Sequence, residues 1–463
     1  MKFIISTIAG LIIAAQVNAL TRIACVGASI TYGATLQQPG VQSYPAQLQR
    51  LLGSGYQVSN FGVSSATMLR KGDLSYWNTG AYRDALQSRP DIVFIDLGGN
   101  DSKLVNRVYL DEFTKDCKDM VRSFQQLPSH PRIVLLLPIP AFLTDTSQIN
   151  DHVIVNRIIP QIRQVAYDGH LEVIDMHSLF INHEAWMPDK IHPNVQGAAI
   201  TAKRLYDLVV QPEDKAFDLF KKLPVQYTES SFYGYLCAGF TFDGRDCKVV
   251  KPKWSAKGHP WVLRARFWGH EPQTDIALLE RGFHIVYCDV AELLGNDAAI
   301  GYWNDFYKML HNAGLDKKAA LEGMSRGGIY IYNWAAANPG KVSCVYADNA
   351  LLDLNFWPDS AILKQDFHLQ NAADIARLKV SPVDRVSEIV KGDFPMLHLV
   401  ADADEAVDPA KNSLRFEQKV MALNGKITLI HKPGFKHHPH SLPNPAPIVD
   451  FILKATGFYY SVE

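Results

Sequence analysis

With 463 residues, 47% of them apolar and 20% charged, the chain can fill real hydrophobic cores, which excludes a disordered or fibrous protein. Its 46 lysines and arginines against 47 acidic residues leave a net charge of −1. No long single-sign run interrupts that balance, so there is no electrostatic footprint for nucleic acid or an anionic membrane. The length corresponds to about three average domains, or to two if the units are large.

In chain order, Met1–Ala19 comes first, with one lysine, an apolar stretch from Phe3 to Ala15 and a polar end at Val17-Asn18-Ala19. This is the pattern of a secretory signal cleaved after Ala19. The apolar stretch is shorter than the roughly 20 residues of a spanning helix. The expectation is an exported chain, secreted or periplasmic, with no membrane insertion once the signal is removed.

From Thr21 to about Val210, β-rich runs (RIACVG, QVSNFG, DIVFIDLGG, RIVLLLPIP, LEVIDM) alternate with amphipathic stretches such as EFTKDCKDMVRSFQQL. That rhythm predicts an α/β unit with a parallel sheet and helices on both faces. The composition turns polar around Gln211-Pro212-Glu213-Asp214-Lys215, so residues 212–229 are expected to link residues 20–211 to a second unit, 230–463. The second unit opens on a hairpin around Asp243-Gly244 (YLCAGFTFDGRDCKVVKP). It continues with WVLRARF, FHIVYCDV, AALEGMS, SCVYADNA, MLHLVADAD and ITLIHKPG as strands, and Leu351–Gly392 reads as an insertion over the sheet end. Six cysteines in so long a chain are no disulfide scaffold. Cys25, Cys288 and Cys344 read as core residues, while Cys237 and Cys247 flank the hairpin turn without being symmetric about it.

Two constellations carry chemistry. In the first unit Ser29 follows the first strand directly, where open α/β sheets place ligands. Asp189, three residues before His192, lets one turn carry a base and its orienting carboxylate. Gly62 offers a backbone N–H and Asn100 an amide for a developing oxyanion. In the second unit Gly323-Met324-Ser325-Arg326-Gly327 closes a strand and opens a helix, the pattern of a nucleophile elbow with the Arg326 N–H as oxyanion donor. An acid and then a histidine should follow. Asp402, Asp404 and Asp408 supply the first, and His437, His438 and His440 the second.

The blocks around Ser29, Gly62, Gly98-Gly99-Asn100-Asp101 and Asp189-x-x-His192 resemble the SGNH (GDSL-like) hydrolases. Ala28 stands where the eponymous motif has aspartate, which bears on substrate preference more than on the chemistry. The resemblance implies a flavodoxin-like domain with Ser29 as nucleophile, His192 as base, Asp189 as orienter, and Gly62 and Asn100 in the oxyanion site. The second half resembles the α/β-hydrolase superfamily. That likeness implies Ser325, Asp404 and His437 as its triad, Asp408 as the reserve acid, and a second oxyanion N–H near Phe267-Trp268-Gly269.

His437-His438-Pro439-His440 also invites a metal reading, but no glutamate or cysteine stands at a familiar ligand spacing. No metal or organic cofactor is expected, and His438 and His440 are read as packing or substrate-binding neighbours. Trp268 and Trp357 are the aromatic candidates for stacking on sugar. The expectation is a two-site carbohydrate esterase acting on an acylated glycan, with no obligate protein partner. The alternatives are a lipase or thioesterase, a peptidase in the second half, or one catalytic unit beside a degenerate glycan-binding module.

Overall fold

A computed structural model describes residues 20–357, 360–371, 374, 377 and 379–458. The expected signal segment, Met1–Ala19, lies outside them.

Five short apolar runs form β1 (Thr21–Gly27), β2 (Tyr56–Gly62), β3 (Ile92–Asp96), β4 (Arg132–Leu136) and β5 (Glu172–Ile174). They pair in the order β2-β1-β3-β4-β5, all parallel. Successive side chains on a strand point to opposite faces. Ala24, Val26, Val93, Ile95, Ile133 and Leu135 therefore enter one apolar cluster, while Ile23, Cys25, Phe94, Val134 and Leu136 enter another. Burial on both faces explains why these strands read as continuous apolar runs. The strand order reverses between β1 and β3, the switch point at which such sheets bind ligands beyond their carboxyl ends.

Two-residue strands β6 (Glu213–Asp214) and β10 (Ser255–Ala256) pair with each other. The second sheet contains β7 (Thr228–Phe232), β8 (Tyr235–Phe242), β9 (Arg245–Lys251), β11 (Trp261–Ala265), β12 (His284–Cys288), β13 (Ala319–Met324), β14 (Val342–Asp348), β15 (Met396–Ala401) and β16 (Ile427–Lys432). Its order is β16-β15-β14-β13-β11-β12-β9-β8-β7. It is parallel from β16 to β12 and antiparallel from there to β7. Ser325 follows β13 directly. The predicted hairpin is β8–β9, turning through Asp243 (φ 49°) and Gly244 (φ 76°), the paired left-handed residues that suit a tight hairpin.

One feature departs from the sequence reading. Residues 212–229 are not a free linker, because Leu219, Phe220 and Leu223 bury their apolar side chains in the core of the second unit. The cysteines are all buried and unbridged. Cys237 lies opposite Val250, and Cys247 lies opposite Cys288.

The two units also share a core. One apolar cluster runs from Phe113, Met120 and Ile162 in the first into Tyr235, Ile276 and Ile448 in the second. At this seam the Tyr235 hydroxyl donates to the Val173 carbonyl at 3.0 Å, and buried Arg204 donates to Glu280 at 2.8 Å. The other Glu280 oxygen accepts the Asp175 N–H at 2.6 Å.

Candidate active sites

β1 ends at Gly27, and Ser29 begins a single helical turn, Ser29–Tyr32, at the carboxyl edge of the sheet. The matching turn arrives from far along the chain. The Phe142 N–H donates to the Lys190 carbonyl at 2.9 Å and holds it in place. Asn194 then caps the helix Val195–Val210 by accepting from the Gly197 N–H at 3.0 Å. Between these anchors His192 Nε2 lies 2.8 Å from Ser29 Oγ, and His192 Nδ1 lies 2.6 Å from Asp189 Oδ2. Asp189 Oδ1 accepts the His192 and Ile191 N–H groups at 2.7 and 3.1 Å. Burial works against the Asp189 charge, but these bonds from His192 and Ile191 outweigh it and hold the carboxyl below its ordinary range. A hydroxyl so placed can give up its proton as it attacks, with the carboxylate fixing the imidazole.

Asn100 is buried, with its amide donating to the Ala66 carbonyl at 3.1 Å and its own carbonyl accepting from Asn106 at 2.9 Å. It lines a small cleft with Ser29, Asp96, Pro138, Ile139 and Ile154, with about 30 Å³ of water-accessible space. Gly62 does not fill its predicted role. Its N–H donates to Asn60 Oδ1 at 2.9 Å, and it lines a different cleft with Tyr32 and Asn60. A Cβ at Gly62 would stand 2.1 Å from the Tyr32 nitrogen, so glycine is needed there to admit the Ser29 helix. The sequence reading passed over Ser65, an exposed residue with φ 65° beside the carbonyl that anchors Asn100. A left-handed serine in a short loop leaves no periodic signal.

In the second unit Ser325 adopts φ 49°, the strained left-handed turn expected of an elbow. A Cβ on Gly327 would meet the Ala265 carbonyl oxygen at 2.9 Å, so the glycine lets the elbow pack against the end of β11. His437 Nε2 is 2.9 Å from Ser325 Oγ, and His437 Nδ1 is 2.7 Å from Asp404 Oδ2. Asp404 Oδ1 accepts the N–H groups of Ala406 and Val407, each at 2.9 Å. Burial opposes the charge on Asp404, and the bond from His437 with these two N–H groups keeps its carboxyl low. Asp408 instead accepts from the Ala410 N–H and pairs with Lys411. Asn349 ties the site together: its amide donates to the His437 carbonyl at 2.9 Å and its oxygen accepts the Ala401 N–H at 2.8 Å.

The loop after β11 is held from beneath. Arg264, fully buried, donates to the Phe267 carbonyl at 3.2 Å and to the His270 carbonyl, and pairs with Asp275 and with Glu322 on β13. One cation faces two buried carboxyls. Burial first, and the adjacent Asp275 next, push the Glu322 carboxyl well above its ordinary range. Asp275 Oδ1 and Glu322 Oε2 have no hydrogen-bond partner, and burial raises the Asp275 carboxyl as well, against the pull of Arg264.

Arg326 follows the serine, its guanidinium 5.8 Å from the Phe267 ring centre and 5.6 Å from that of Trp357. Trp357 thus stands beside the elbow. Trp268 is half-buried, its ring packing at a tilt on Phe232 and Tyr287 with centres 4.9 and 5.5 Å away.

Residues 25–200 match the model of the GDSL-like lipase/acylhydrolase family. Residues 25–200 are thus similar to a GDSL-like domain. An acetylxylan esterase of Xylanibacter ruminicola is 43% identical over 195 residues, which cover 38% of this chain and 40% of that protein. The chain therefore matches less than half the length of that relative. Solved structures with partial likeness include a puromycin-hydrolyzing peptidase of Mycobacterium tuberculosis, at 14% identity and a TM-score of 0.38, covering 46% of this chain and 38% of that one. An aryl esterase of M. smegmatis shows 16% identity and a TM-score of 0.34, covering 41% of this chain and 98% of its own. Beside the GDSL-like domain, no described helix is long and apolar enough to cross a membrane.

Proposed function

We propose that this chain is an exported two-site carbohydrate esterase whose GDSL-like domain removes O-acetyl groups from a polysaccharide or oligosaccharide. The observation that carries the reading is the unbroken hydrogen-bonded series Ser29–His192–Asp189 beside a small cleft that Ser29 and Asn100 line together. The likeness of this half to an acetylxylan esterase supports a xylan-type substrate.

In the proposed cycle His192 takes the Ser29 proton as Oγ attacks the ester carbonyl. The tetrahedral oxyanion is met by the free N–H of the Asn100 amide and by the Ser65 backbone N–H, which replaces Gly62 as donor. His192 then protonates the departing sugar alkoxide, and a water activated by the same imidazole releases the acid. Ser325, His437 and Asp404 would run the same cycle in the second unit, with the Arg326 N–H as oxyanion donor. Trp357 and Arg326 beside the elbow give that site a broader wall, which suits a second kind of ester on the same glycan. Two sites on one chain raise the local concentration of one product for the other site.

The test is acetate released from acetylated xylan by the parent chain and by Ser29→Ala and Ser325→Ala variants. Ser29→Ala is expected to abolish acetate release, while Ser325→Ala retains most of it. Equal losses in both variants would overturn the division of labour.

A further inference from the structure

Four imidazoles meet beside Ser325, and only one belongs to the hydrogen-bonded series there. The ring centres of His437, His438 and His440 lie 5.0, 4.9 and 4.8 Å apart. Each offers a ring nitrogen, and these nitrogens all lie within 4.8 Å of one another. The rings meet edge to face, at 81° or 82°, so no pair is stacked. His270, on the loop after β11, adds a fourth ring 6.0 Å from those of both His438 and His440. A tetrahedral zinc ion with Zn–N bonds of about 2.0–2.1 Å places its imidazole centres roughly 5 Å apart. The ring centres of His437, His438 and His440 already have that spacing, and His270 stands 6.0 Å from two of them.

The surroundings orient the nitrogens as ligands. His440 is 3% exposed, and its Nδ1 faces Asp348 Oδ1 at 3.2 Å, which leaves Nε2 open. Asp348 is itself fixed by the Tyr346 hydroxyl at 3.1 Å, the Ser441 N–H and Lys432 Nζ at 3.4 Å. His437 is arranged in the same way, with Asp404 on Nδ1 and Nε2 turned outward to the serine. A carboxylate behind the far ring nitrogen is the usual support of a metal-ligating histidine. Sequence spacing speaks against a metal because it shows only the triplet. Asp348 and His270, which complete the arrangement, lie on other elements.

We propose that His437, His438 and His440, with His270 as a fourth ligand, form a site for a divalent d-block cation of the zinc class, and that its occupancy switches off Ser325. Imidazole ligands favour zinc, copper and nickel over magnesium or calcium. The switch follows from one lone pair: His437 Nε2 cannot accept the Ser325 proton while it is bonded to a cation. The ion site stands on geometry alone, whereas the switch rests on the reading of Ser325 as a nucleophile.

Calorimetric titration of zinc chloride into the tag-free full chain tests the site, repeated with Ser325→Ala, His438→Gln and His270→Gln/His438→Gln chains. One ion per chain is expected for the parent and for Ser325→Ala. Affinity should fall by roughly tenfold or more in His438→Gln and further in the double variant. Absence of a saturable event, or an unchanged affinity in His438→Gln, would overturn the site. In parallel, the Ser29→Ala chain, whose remaining esterase activity is that of Ser325, should lose it over the same zinc range and regain it with EDTA. Binding without inhibition overturns the switch. No hydrolysis by Ser29→Ala in zinc-free buffer overturns the reading of Ser325 instead, and the calorimetry still judges the ion site.

Discussion

Single residues decide which of several similar groups does the work. Asp404 and Asp408 are both carboxylates in the loop after β15, yet only Asp404 reaches His437, while Asp408 serves its own turn. Asp404→Asn should lower the kcat of the second site roughly a thousandfold or more by holding the wrong imidazole tautomer. Asp408→Asn should leave kcat close to the parent value; steady-state kinetics on a chromogenic ester in a Ser29→Ala background compares the two. Beneath the same site, Glu322 is buried against Asp275 and its carboxyl is pushed well above the ordinary range. A native state that keeps a proton the unfolded chain releases loses stability as pH rises from the ordinary glutamate range toward the raised value. Glutamine reproduces the protonated form and its bond to Asp275. Glu322→Gln should therefore be more stable than the parent at pH 8, by about 1 kcal/mol or more, and the advantage should vanish near pH 4. Denaturant melts at both pH values check this, and a less stable variant at pH 8 would show that Glu322 is ionised in the folded protein.

At the scale of elements, the sites depend on how closely turns pack on strand ends. The helix Ser29–Tyr32 sits so near β2 that Gly62→Ala would drive a Cβ against backbone. The expected cost is about 1–3 kcal/mol of stability, with kcat for acetyl esters falling more than KM rises because Ser29 is displaced. Thermal melts and kinetics on the same preparation read both effects, and an unaltered kcat would mean that the helix can shift without harm. Strands are the most legible elements, because burial on both faces leaves continuous runs such as Ile92–Ile95 and Cys344–Ala347 in the sequence. The hydrogen-bonded series leaves local marks in the sequence, since Ser325 directly follows an apolar strand run, Ser29 stands two residues after one, and Pro188 and Pro193 flank the Asp189–His192 turn. The oxyanion role expected of Gly62 shows the limit of sequence, which reveals a glycine but not whether its N–H is already taken, here by Asn60. Residues 212–229 read as a linker because Gln211–Lys215 is polar, although Leu219 and Phe220 a few positions later are buried.

For the whole molecule, the seam between the units was invisible in sequence: Arg204 and Glu280 are 76 positions apart, and nothing local marks either as a partner. Asn444, seven residues beyond His437, donates to the Leu179 carbonyl at 3.2 Å and meets His183 Nε2 at 3.3 Å. His183 stacks on Trp186, with ring centres 3.6 Å apart, just before the turn that carries Asp189 and His192. The segments that follow and precede the two histidines thus touch. Each site nevertheless has its own serine, imidazole and carboxylate, and each should form its own acyl-enzyme. Intact mass after labelling with a fluorophosphonate tests this most directly. Two adducts are predicted on the parent chain, one on each single serine-to-alanine variant and none on the Ser29→Ala/Ser325→Ala chain, whereas a parent chain that accepts only one adduct would contradict the account.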